Sequence, residues 1–171
     1  MVAGKMDVEA NGIVLLDPEV MHEVLGWAPA PGETRDLMSE FFSSNLGDDV
    51  VDNGAVAPLL SIDDGVYEVI CRLSSEPSPV EDLVIVTNGV FPLVVKTRAA
   101  FFDLQSMMNW PPEESGVDSA LAPGIYAVTF RGFRSVEEGR IVRAGYEFVC
   151  EPTTDLARPT GQIDACVRVF F

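Results

Sequence analysis

Positive charge is what this chain has least of. Its 171 residues include 11 Lys and Arg against 27 Asp and Glu, a formal net charge of -16. Nucleic acid and anionic lipid are met by basic stripes, whereas here the arginines stand singly, densest at Arg131, Arg134, Arg140 and Arg143. Neither partner is expected. Histidine occurs once, at His22, and an activated nucleophile needs a base beside it, usually His. The position of His22 in a helical stretch reads as an ordinary solvent-facing one. There is no Gly-x-Ser-x-Gly elbow, no phosphate-cradling glycine loop and no dinucleotide fingerprint. No catalytic residue is assigned and no cofactor is expected.

Cysteine is nearly as scarce. Cys71, Cys150 and Cys166 leave one unpaired if any bridge forms, and no Cys-x-x-Cys occurs, so neither a disulfide framework nor a zinc knuckle is supported. All three lie in strand-like runs, where a free Cys acts as a small buried hydrophobe. No apolar run approaches the ~20 residues of a membrane span. Residues 1–7 lack the basic flank and apolar stretch of a signal peptide. The expectation is a cytoplasmic chain away from membranes.

Apolar residues make up 47% of the sequence, enough to build a core without staples, and 171 residues suit one domain spanning 1–171. One pattern occurs twice: Gly65-Val66-Tyr67-Glu68-Val69-Ile70-Cys71-Arg72, and Gly124-Ile125-Tyr126-Ala127-Val128-Thr129-Phe130-Arg131. Alternate positions put Tyr67, Val69 and Cys71, or Tyr126, Val128 and Phe130, on one face of a strand, with the Arg on the other. Half-repeats beginning near residues 59 and 118 would explain the recurrence.

Taken in order, 6–17 predicts a hairpin about Asn11-Gly12, whose second arm, apolar on both faces, belongs in the middle of a sheet. Asp17 then caps a helix with Pro18 first and Gly26 as its stop. A second helix is expected over 35–45, capped by Thr34, and an acidic loop over 46–53. Further hairpins are read about Asp63-Asp64-Gly65 and about Asn88-Gly89, with Pro92 marking an edge strand or a bulge. Residues 101–110 fit either a helical turn or the end of a sheet. Residues 132–140 read as a polar turn, and Tyr146, Phe148 and Cys150 as a strand whose other face, with Glu147, is wet. Residues 163–169 read as a last strand. Short strands between turns, without strand–helix alternation, predict a mainly β chain: an antiparallel β-sandwich or partly open barrel, with one or two short helices in the first 45 residues.

Acidic residues cluster as Asp48, Asp49 and Asp52, as Asp63 and Asp64, and as Glu113 and Glu114, with Glu137 and Glu138 beyond. None has the alternate register of an EF-hand, and no metal site is assigned. The reading drawn from charge is a non-catalytic interaction module that docks on a basic protein, as an inhibitor or immunity protein does. Its contacts would be Asp48, Asp49, Asp52, Asp63, Asp64, Glu113 and Glu114, with Trp110 as an aromatic anchor at the rim. The alternative is a small-ligand barrel or enzyme with a pocket lined by Phe91, Phe101, Phe102, Met107, Met108 and Trp110.

Overall fold

The alternation of the two tyrosine strands carries straight into the structure, a computed structural model that describes residues 1–170. Strand accounts for 44% of residues and helix for 18%, in two sheets that do not close into a barrel. The first sheet has five strands in the order β1 (Val2–Val8), β4 (Gly65–Leu73), β9 (Arg140–Thr153), β8 (Gly124–Glu137) and β5 (Val84–Val95). The second has four, in the order β3 (Val56–Leu60), β2 (Gly12–Leu16), β6 (Ala100–Asp103) and β7 (Val117–Asp118). All neighbours run antiparallel except β4 and β9, which are parallel.

Three layers result. Tyr67, Val69 and Cys71 of β4, Tyr126, Val128 and Phe130 of β8, and Tyr146, Phe148 and Cys150 of β9 face Ile13, Leu15, Leu59 and Phe101 of the second sheet in one buried cluster. The opposite face of the second sheet, with Val14, Leu16, Val56 and Phe102, packs on the helical layer of α1 (Pro18–Leu25), α2 (Leu37–Ser43) and α3 (Leu46–Asp52). Strand β2 is therefore buried along its whole length, as its double-faced apolar run required.

Both copies of the repeated pattern use their Tyr and Arg in the same way. The Tyr67 hydroxyl donates to the Asp63 carbonyl at 2.6 Å and the Tyr126 hydroxyl to the Ala122 carbonyl at 2.8 Å, each four residues upstream. Each ring thus fastens the bend that enters its own strand, a tyrosine corner made twice. The two strands flank β9, and both arginines reach its Glu147: Arg72 Nε at 2.8 Å and Arg131 Nη1 at 3.2 Å. Glu147 is fully buried, not wet as its alternation suggested. Residues 74–84 cross the outer face above it, where the Ser78 hydroxyl donates to Glu147 at 2.6 Å and Glu81 pairs with Arg131 at 2.8 Å. Ile70, Val80 and Phe133 form a small apolar cluster under the same strap.

Turn signals proved the least faithful guide. Asn11 takes a left-handed φ of 57°, but β1 pairs with β4 and β2 with β3 and β6, so Asn11-Gly12 turns a corner between sheets and closes no hairpin. The bend at 63–65 likewise crosses from the second sheet to the first. Asn88-Gly89 lies inside β5 as a bulge, because the chain at 160–162 passes directly over it: a Cβ on Gly89 would sit 2.7 Å from the Gly161 nitrogen, and the Asn88 side chain bonds both the N–H and the carbonyl of Gln162. Strand β5 is an edge, one of the two placements Pro92 allowed. The polar stretch 132–140 is mostly strand, with a tight turn at Glu138 (φ 49°) and Gly139 (φ 75°) joining β8 to β9. The acidic stretch expected as a loop is helix α3.

Residues 163–169 form no strand. Their apolar alternation serves a plug: Val167 and Val169 are buried at the end of the sandwich, the Tyr146 hydroxyl donates to the Val167 carbonyl at 2.9 Å, and the Phe170 ring stacks on Tyr67 at 4.9 Å. Helix α1 has the expected cap and stop, Asp17 accepting from the Glu19 N–H and Gly26 turning left-handed at φ 59°. Helix α2 is capped by Asp36 instead of Thr34. Residues 101–110 satisfy both readings, with strand β6 followed by a 3-10 segment, Leu104–Asn109.

Candidate functional site

Asp17 shows how this chain employs a buried carboxylate. Besides capping α1, it accepts the backbone N–H groups of Lys96, Thr97 and Arg98 and the Thr97 hydroxyl. Burial alone would raise its pKa, but these donors outweigh burial and hold it below the ordinary value. Its charge is fully used within the fold, which is not true of the acidic groups at the far end of β6.

There the 3-10 segment Leu104–Asn109 turns Met107 into the helical core and leaves Met108 exposed. Trp110 follows, fully buried, with its ring edge-on to Phe102 at 5.3 Å and its backbone exchanging two hydrogen bonds with Arg35. The loop after it carries exposed Glu113 and Glu114, and Arg98 holds its far end by donating to the carbonyls of Ser115 and Gly116. Across from this loop stand Asp7 of β1 and Glu9 at the corner between sheets, with Asp103 between them. Two adjoining depressions, about 640 and 800 Å³, share Asp7, Asp103, Ser106, Glu113 and Glu114, and Glu9 joins the larger. Among the described residues Lys5 is the one basic side chain along their walls.

Asp103 Oδ2 accepts the Glu9 N–H at 3.2 Å, while its Oδ1 is buried with no hydrogen-bond partner. Burial raises its pKa, against the pull of the backbone N–H groups of Glu9, Ala10, Gln105 and Leu104. The groove thus gathers five carboxylates, four of them exposed.

The structure divides the residues expected to form a docking face. Glu113 and Glu114 lie in the groove. Asp48, Asp49 and Asp52 are exposed on α3, and Asp48 lines a different, apolar depression. Asp63 and Asp64 serve the fold, Asp64 accepting the Asn11 N–H at 3.1 Å and Asp63 lying 3.5 Å from Arg168. Trp110 is buried and cannot be a rim anchor; the acidic loop beyond it is tied by Arg98, which donates to the carbonyls of Ser115 and Gly116. Asp7, Glu9 and Asp103 were not singled out from sequence. The alternation of Lys5 and Asp7 on the exposed side of β1, continued by Glu9 at the corner beyond it, was the available signal.

The expected aromatic and Met pocket is not one cavity. Phe91 and Phe101 belong to the core between the sheets, Phe102, Met107 and Trp110 to the core under the helices, and Met108 is on the surface. The intervening second sheet separates them.

His22 is partly buried, and its Nε2 accepts the Trp110 indole N–H at 3.0 Å. Burial lowers its pKa, which keeps the ring neutral and able to accept. Cys71 and Cys150, with sulfurs 3.9 Å apart, are buried in the other core, away from His22, and the bond to Cys71, with burial adding to it, raises the Cys150 thiol well above its ordinary value. Among the described residues no group of three or more His, Cys, Asp or Glu side chains is arranged to hold a metal ion, and no helix is long and apolar enough to cross a membrane.

No family model matches this chain, and no curated protein is similar to it at a significant level. Among solved structures it is similar to Crocagin biosynthetic gene J, with a TM-score of 0.48 and 14% identity over 89% of this chain and 99% of that one.

Proposed function

We propose that this protein is a non-catalytic binding module that takes a cationic segment of a basic protein partner into the groove between β1, the 3-10 segment and the 111–116 loop. The observation that carries the reading is the convergence of Asp7, Glu9, Asp103, Glu113 and Glu114 on one depression, with Lys5 of the adjoining depression as the single basic side chain along the two among the described residues. Lys and Arg side chains of a partner supply the charge this groove lacks, and the exposed carboxylates of Asp7, Glu9, Glu113 and Glu114 accept them. The net charge of -16 steers such a partner toward the module and away from nucleic acid. The free cysteines support a reducing, cytoplasmic setting.

A fluorescent Lys/Arg-rich peptide, followed by anisotropy over a salt series, tests this. Neutralising the groove (Asp7→Asn, Glu9→Gln, Glu113→Gln, Glu114→Gln) should weaken binding about tenfold or more, on the footing that close charge pairs at interfaces are each worth about 1.5 kcal/mol upward. Neutralising four carboxylates elsewhere (Asp49→Asn, Asp52→Asn, Glu137→Gln, Glu138→Gln) should cost little. Equal losses in the two variants would mean that the peptide reads net charge and not the groove.

A further inference from the structure

On the other side of the 3-10 segment the helical layer fails to close over the second sheet. Val14, Val56 and Leu60 form the floor of a cavity of about 220 Å³, and Phe41, Val50 and Met107 stand among its walls. Phe42 and Ile163 lie at its margin, 76% and 38% exposed. Asp48 is the one charged side chain on its lining, and it enters no ion pair or side-chain hydrogen bond among the described residues.

The chemistry of this lining selects a ligand class. The walls offer no hydrogen-bonding side chain apart from Asp48, so a sugar, a phosphate ester or a peptide backbone would lose its hydration with nothing in return. An apolar group gains by entering. A dry cavity of about 150 Å³ accepts benzene, so on the same scale this one suits a body of about nine heavy atoms. The acidic rim opposes an anion and matches a cation. We propose that the cavity between α2, α3 and the second sheet is a binding site for a small amphipathic amine, with an aromatic or branched-alkyl body inside and its ammonium at Asp48. The site is separate from the acidic groove and does not depend on the groove's having a partner.

Methyl NMR titrations with 2-phenylethylamine, its neutral isostere 2-phenylethanol, and phenylacetate test the assignment. Amine and alcohol should produce saturable shifts centred on the methyls of Val50, Val56 and Leu60. The amine should bind about fivefold more tightly than the alcohol, the size expected of an exposed ion pair, and phenylacetate should bind weakest. Asp48→Asn should abolish the preference for the amine while leaving the alcohol's affinity unchanged. Leu60→Trp, which fills the cavity, should abolish both; Met38→Trp at the wall serves the same purpose if the first variant does not fold. Equal binding of amine and alcohol to the unaltered protein would remove Asp48 from the site. Absence of saturable shifts at these methyls, or amine binding that survives filling, would overturn the proposal. So would a response confined to a blocked Lys-Leu-Lys peptide, which would assign the cavity to a protein partner's side chain.

Discussion

His22 is where one residue's protonation state is tied to the packing of another. Its Nε2 accepts the N–H of the fully buried Trp110, and an imidazolium has no lone pair to offer. Because burial places the folded pKa below the ordinary 6.5, the unfolded chain takes up a proton first as pH falls. This contribution is therefore whole above about pH 7 and declines as pH drops below 6.5 toward the folded pKa. Urea midpoints at pH 7.5 and 5.5 should show the loss. His22→Gln, whose amide oxygen reaches nearly as far and does not titrate, should flatten it; an unchanged slope in that variant would clear His22 of the effect. Glu147 makes the complementary case, a carboxylate whose charge is required. Glu147→Gln leaves Arg72, 7% exposed, and Arg131, 15% exposed, facing a neutral amide. Breaking a buried ion pair in this way costs about 3–5 kcal/mol, and chemical denaturation should register a loss of that order.

At the scale of elements, the same variant should free the strap at 74–84, since Ser78 holds Glu147 and Glu81 reaches it through Arg131. Hydrogen exchange should therefore quicken in these amides before it does in β8 and β9. A second strap, 154–170, covers the open edge of β5: the N–H groups of Thr160 and Gly161 both donate to the Val90 carbonyl. It passes so close that a Cβ on Gly161 would lie 2.1 Å from the Phe91 ring. Gly161→Ala should cost roughly 1–3 kcal/mol through overpacking and open the strap to limited proteolysis. Resistance equal to that of the unaltered protein would show that the strap is held from its plugged end, by Val167, Val169 and Phe170, and not along β5.

At the scale of the whole molecule, an excess of acidic over basic side chains, 27 against 11, leaves most carboxylates without a partner. Self-repulsion then outweighs surface pairing. Moving from roughly 10 mM to roughly 100 mM NaCl shortens the screening length from about 30 to about 10 Å, and the melting temperature should rise. A chain held mainly by its surface ion pairs would respond in the opposite sense. Calorimetry in the two buffers separates the cases.

What sequence alone determined is what depends on near neighbours in the chain. Asp17, Pro18 and Gly26 bound α1 because capping is settled within a turn, and the alternating apolar faces of β4, β8 and β9 follow from the strand's period of two. The mainly β class rests on the same local rules, and so does the choice of edge or bulge at Pro92, which β5 meets as an edge. Tertiary structure decided everything that needs two distant segments to meet. Asn-Gly suits a tight turn, a corner between sheets or a bulge equally well, and only the passing strap at 160–162 makes Asn88-Gly89 a bulge. Glu147 looked wet because Arg72, 75 residues away, and the covering strap are invisible to periodicity. The acidic groove was half legible for the same reason: Glu113 and Glu114 stand out as neighbours, whereas Asp7, Glu9 and Asp103 join them only when β1, the corner after it and β6 fold onto one rim.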